Sequence, residues 1–175
     1  MRRRRKLNWK VGCGAIGAVV LVVLAGFVGL SAFGGDHTVR SVAYDLDPPH
    51  SGKHSPVWQK CGFYTEPVEN EHVVHSLEHG AVWITYRPDL PADQVTVLRE
   101  LVRTRDYLVI SPYPDLPAPI VITAWEQQTL LDATNLPHLQ QLIQEYRDSE
   151  AEPEPDGSCD GPNLWFTGST GNPDE

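Results

Sequence analysis

The sequence predicts an α+β domain, one small mixed sheet packed by two to three helices, preceded by a single transmembrane helix. Three observations predict it. A block of cations is followed by a long uncharged run. Strand-like and helix-like segments then alternate. Two of the strands are joined by a Pro-rich, hairpin-like turn, which a purely parallel sheet does not use.

The cations come first. Arg2, Arg3, Arg4, Arg5, Lys6 and Lys10 are six of the 14 basic residues, leaving 8 basic against 23 acidic residues in the rest of the chain. The mean hydropathy of -0.31 conceals this asymmetry. An acidic body argues against nucleic-acid binding. Residues 1–10 read as a cytoplasmic tail, with Trp9 at the membrane interface. Val11 to Gly35 carries no charge. As a helix such a run extends roughly 37 Å at ~1.5 Å per residue, enough to cross a ~30 Å hydrocarbon core with tilt. Cations before the span stay cytoplasmic by the positive-inside rule, so residue 36 onward is expected outside. A cleaved signal peptide is the rival reading, but its apolar core is shorter, roughly 7–15 residues. A retained anchor in the cell membrane is the expectation.

Residues 36–148 form the expected extracytoplasmic domain. Residues 36–47 lead into a short strand with Val39, Val42 and Tyr44 as its apolar positions. Pro48, Pro49, Gly52, Pro56, Gly62 and Pro67 make residues 48–69 an ordered loop. Asn70 is a candidate cap for a helix from Glu71 to His79, with Gly80 as its stop. Ala81 to Tyr86 is β-branched and aromatic, hence a strand. Pro91 opens a helix to about Thr104, with Val95, Leu98, Leu101 and Val102 on one face. Tyr107 to Ser111 is a second strand. After the Pro112–Pro117 turn, Ile120 to Trp125 is a third, expected antiparallel to the second. Gln127 to Ala133 reads as a short helix. A last helix starts at Leu136 or Pro137, with Leu139, Leu142, Ile143 and Tyr146 buried. Residues 149–175 are rich in Pro, Gly, Asp and Glu and are expected to be mostly disordered, except near Cys159 and Leu164-Trp165-Phe166. Cys13 lies in the apolar run. Outside the cytoplasm, Cys61 and Cys159 are expected to pair; the alternative is two free thiols.

The chemistry concentrates in five histidines: His50, His54, His72, His75 and His79. At 100° per residue, positions 72, 75 and 79 fall within about 60° of one another on a helix, opposite Val73, Val74 and Leu77. The helix would bury its apolar side and present a histidine stripe. His75 and His79, four residues apart, can share one metal ion, with His54 or His50 of the loop as a third ligand. Glu78 is a fourth ligand or orients one of the others. Imidazole ligands suit copper(II) and zinc, with copper favoured by affinity. Met1 is the only methionine, which excludes a thioether-rich copper(I) site.

Two other readings stand beside this one. The histidines can brace the loop against the helix in a structural or protein-interaction module of the cell envelope. His75-Ser76-Leu77-Glu78-His79 also fits H-x-x-E-H, in which Glu serves as general base of a zinc peptidase. A domain of about 110 residues leaves little room for a substrate cleft. No complete catalytic signature is present, so no catalytic residue is assigned. Asp45 and Asp47 read as solvated turn residues or as partners of the rings. Trp58, Tyr64, Trp83 and Trp125 read as packing residues.

Several segments resemble the bacterial family called domain of unknown function 3105. They are Asp47-Pro48-Pro49-His50-Ser51-Gly52-Lys53-His54, Cys61-Gly62-Phe63-Tyr64, Glu66-Pro67-Val68, and Val74-His75-Ser76-Leu77-Glu78-His79-Gly80. Pro112-Tyr113-Pro114 and Ile122-Thr123-Ala124-Trp125 add to the likeness, which covers about residues 40–148. The resemblance implies that His54, His75, Glu78 and His79 belong to the family pattern, that His50 and His72 stand at variable positions, and that an N-terminal membrane segment is common. It implies no activity.

Overall fold

The elements form because the central segments are apolar on both faces. In the computed structural model, which describes residues 37–149, 151–154 and 159, every residue of the three central strands is buried. Such strands need cover on both sides of the sheet. The strands are β1 (Gly62–Phe63), β2 (Val82–Tyr86), β3 (Leu108–Pro112), β4 (Ile120–Ala124) and β5 (Gln127–Leu131). The helices are α1 (Asn70–Glu78), α2 (Ala92–Thr104) and α3 (Leu136–Arg147). The result is an α+β fold with a five-stranded mixed sheet in the order β1-β3-β2-β4-β5.

β3 pairs in parallel with β1 and β2, while β2–β4 and β4–β5 are antiparallel. On one face, Val82, Ile84, Leu108, Ile110, Ile120 and Ile122 pack with Leu98 and Leu101 of α2 and with Leu139, Leu142, Ile143 and Tyr146 of α3. On the other, Trp83 and Val109 pack with Val73 and Leu77 of α1. The Trp83 indole donates to Ser111 Oγ at 3.0 Å, which satisfies a polar atom that burial would otherwise strand. Two helices therefore cover one face, and α1 with its loop covers the other.

The structure corrects five expectations. Ile120 to Ala124 pairs with β2 rather than with the strand at 107–111, because β3 already has β1 and β2 on its two edges. Gln127 to Leu131 is a strand rather than a helix. Ala124 pairs with Gln127, so only Trp125 and Glu126 form the turn, and Glu126 takes a left-handed φ of 57°. The free edge of β4 supplies backbone partners that outweigh the helical preference of Gln and Leu. Residues 37–47 make no strand beyond a single bridge between His37 and His54. Val39 is 91% exposed, so no apolar face holds a strand there. Asn70 is the first helical residue, not the cap; its side chain donates to Tyr113 Oη at 3.1 Å. β1 lies inside the segment expected to be wholly loop.

Cys61 and Cys159 form a disulfide, and the Cys61 N–H donates to the Cys159 carbonyl at 3.0 Å. Glu154 N–H donates to the Glu78 carbonyl at 3.2 Å, so the described part of the tail lies across the end of α1. The apolar run at 11–35 and residues 160–175 lie outside the described residues. Among the described residues no helix is long and apolar enough to cross a membrane.

Gly80 ends α1 with φ +82°, donating to the Leu77 carbonyl at 3.0 Å, and the chain then enters β2. A side chain there forces left-handed backbone at a cost of about 1–2 kcal/mol. Gly80→Ala is expected to lower the unfolding free energy by that amount, read as a lower urea midpoint with the denaturant slope unchanged. An unchanged midpoint would show that the turn does not constrain the helix end.

Candidate metal centre

α1 is too short and too deeply set to have a free face. Val73, Val74 and Leu77 are fully buried, as the pattern predicts. The opposite side is not presented to solvent, because the loop at 50–60 folds over it. Ser55 N–H donates to the Glu71 carbonyl at 3.1 Å, Gln59 N–H to the His72 carbonyl at 3.0 Å, and Ser76 Oγ to the Gln59 carbonyl at 2.8 Å. These bonds stitch a Pro/Gly-rich segment onto the helix and satisfy its backbone. They also carry His54 down onto α1, so that His54 is 1%, His75 4% and Glu78 4% exposed.

The rings are oriented by main-chain carbonyls. His54 Nδ1 donates to the Gly52 carbonyl at 2.8 Å, and His75 Nδ1 to the Ser55 carbonyl at 2.7 Å. His79 Nδ1 faces the Glu154 carbonyl at 3.2 Å. A neutral imidazole that donates through Nδ1 carries its lone pair on Nε2. Each Nε2 faces inward. His54 Nε2 lies 3.1 Å from Glu78 Oε2, and His75 Nε2 lies 2.9 Å from His79 Nε2. The His54–Glu78 contact lacks hydrogen-bond alignment, and both atoms are buried without a hydrogen-bond partner. Lone pairs that meet at such distances repel unless a proton or a metal cation lies between them.

His37, His54, His75 and Glu78 each offer a ligand atom, all within 4.8 Å of one another, so this group can hold a metal ion. The His37 ring lies 4.9 Å from that of His54 and 5.0 Å from that of His75. His79 is not one of these four, although it touches His75. Trp58 closes the side, its ring 5.5 Å from His75 and 5.7 Å from His79. His50 is elsewhere, its Nδ1 bonded to Ser51 Oγ at 3.0 Å, and His72 is outside the group. Asp47 accepts from Tyr113 Oη at 2.9 Å and does not support a ring. His37 was not foreseeable from spacing. It comes from a segment 17 residues before His54 with no periodicity to mark it.

Glu78 is poorly placed to act as a general base. It is buried, and its Oε2 lies 3.1 Å from His54 Nε2.

Burial pushes His75 down from an ordinary 6.5 to about 4; its hydrogen bond to Ser55 opposes this, and the His79, His54 and His37 rings add to it. The unfolded chain therefore takes up this proton before the folded one does. The neutral ring's contribution to stability is intact above about 6.5 and is lost as pH falls toward 4. With chelator present, the wild-type urea midpoint is expected to fall more steeply across this window than that of His75→Leu. Parallel curves would show that His75 is not held neutral.

The model of the family described as Protein of unknown function (DUF3105) matches residues 37–161. No curated protein and no solved structure matches the chain. The matched stretch reaches beyond residues 40–148 at both ends, taking in His37 and Cys159. It spans the whole candidate centre and most of the chain, and on that match the chain belongs to the DUF3105 family.

Proposed function

We propose that this protein is a single-pass, membrane-anchored domain that binds one divalent transition-metal ion, copper or zinc, on the extracytoplasmic side. His54, His75 and Glu78 are the inner ligands and His37 completes the set. The observation that carries this reading is the pair His54 Nε2 and Glu78 Oε2, two buried polar atoms 3.1 Å apart with no hydrogen-bond partner. Buried polar atoms are ordinarily satisfied, and an ion pair alone repays desolvation only with good geometry. A cation bound by both atoms and by His75 Nε2 removes the deficit. The Nδ1–H bonds to backbone carbonyls support the same reading, since ligating imidazoles usually donate their other nitrogen in this way. Imidazole and carboxylate donors suit zinc and copper(II). Cys61 is tied up in the disulfide and supplies no thiolate.

The anchoring part of the proposal is supported by the basic block, by the 25 uncharged residues at 11–35 and by a disulfide, which persists in oxidising compartments. Four protein ligands, three of them buried, favour a structural or storage role over catalysis, because catalytic sites keep an open position.

A second reading has its own observation. The carbonyl bonds to His54 and His75 fasten the loop to the helix without any metal. In that case the histidines only brace an envelope interaction module. Elemental analysis and thermal unfolding of the purified protein separate the two. The metal reading expects about one equivalent of metal in the wild type and loss of it in His54→Ala and Glu78→Gln. It also expects a gain of about 2.7 kcal/mol at metal a hundredfold above the dissociation constant. Negligible metal in every form, with no stabilisation of the wild type, would leave only the bracing role.

A further inference from the structure

The inner ligands are enclosed, and an ion must pass other groups to reach them. The donors near the end of α1 form a series of decreasing exposure. The Glu154 side chain is 57% exposed, and its Oε2 lies 3.8 Å from His79 Nδ1. The His79 side chain is 14% exposed, and its Nε2 lies 2.9 Å from His75 Nε2. His75 is 4% exposed and belongs to the inner group. Each step is a few ångströms, and each ends on an atom that can bind a cation.

We infer that Glu154, His79 and His75 form the entry route of the metal, with His75 and His79 making a transient outer position before the ion settles on His54, His75 and Glu78. This inference rests on the metal-binding reading and assigns His79 a role apart from the resident ligands. The outer carboxylate raises the local cation concentration, as a charged approach does for any steered ligand. His79 then holds the ion through Nε2. His75, common to the outer and inner positions, passes it inward without the ion becoming free. The tail is fixed for this purpose at two points. Glu154 N–H bonds the Glu78 carbonyl, and the Cys61–Cys159 disulfide holds the segment farther on. The exposed His37 marks the other conceivable approach.

Stopped-flow loading with copper(II) tests the route, using quenching of tryptophan fluorescence in the full-length chain. Trp58 lies against both His75 and His79 and reports arrival. His79→Gln is expected to slow loading about tenfold or more, and Glu154→Gln severalfold, with equilibrium affinity unchanged in both. His37→Gln is expected to weaken equilibrium binding. Wild-type loading rates in both His79→Gln and Glu154→Gln would overturn the route. So would a loss of affinity in His79→Gln that matches its loss of rate, because His79 would then be a resident ligand. Slowing confined to His37→Gln would place entry at the N-terminal segment instead. Absence of copper binding by the wild type would remove the metal reading itself, an outcome distinct from these.

Discussion

His54 and Glu78 meet beneath a loop, an imidazole nitrogen and a carboxylate oxygen 3.1 Å apart with no hydrogen bond to either. Much of the molecule is arranged around that contact. Burying polar atoms without a hydrogen bond is costly, and a sequence that does so must compensate nearby. The compensation is visible in the backbone. The loop is stitched to α1, the carbonyls of Gly52 and Ser55 turn two imidazoles inward, and Gly80 ends the helix so that the Glu78 carbonyl meets the tail. The apolar core sets the depth. Val73 and Leu77 press α1 against Trp83 and Val109, which leaves its opposite side facing the loop.

The parts of the fold with a strong period were readable from sequence. Leu98 and Leu101, and then Leu139, Leu142, Ile143 and Tyr146, mark their helices by spacing and are all buried. β2, β3 and β4 follow from continuous β-branched and aromatic runs. Their partners do not, because pairing order is a tertiary property. β3 is flanked by β1 and β2, and nothing local in Ile120–Ala124 states that it joins β2 instead. β5 illustrates the same limit. Gln127 and Gln128 have no strand preference, and the strand exists because β4 offers an edge.

The centre divides in the same way. His75, Glu78 and His79 come from one helical turn and its end, so their proximity is local and visible in the spacing. His54 is tied to them by a loop whose Pro and Gly content signals order. His37 and Glu154 are not visible, since they reach the cluster only through a bridge to His54 and through the disulfide-held tail. A histidine stripe on an amphipathic helix suggests an exposed face. Here the loop supplies a second apolar and polar surface, and His75 of the stripe becomes interior while His72 and His79 stay half-buried. Three buried donors and the exposed His37 then make a group that can hold an ion.

Anomalous diffraction from crystals of the protein grown with copper or zinc tests the central claim most directly. The account predicts a single peak bounded by His54 Nε2, His75 Nε2 and a Glu78 oxygen, with the Nδ1 bonds to Gly52 and Ser55 retained. A peak only at surface histidines, with His54 and Glu78 still in direct contact, would contradict it.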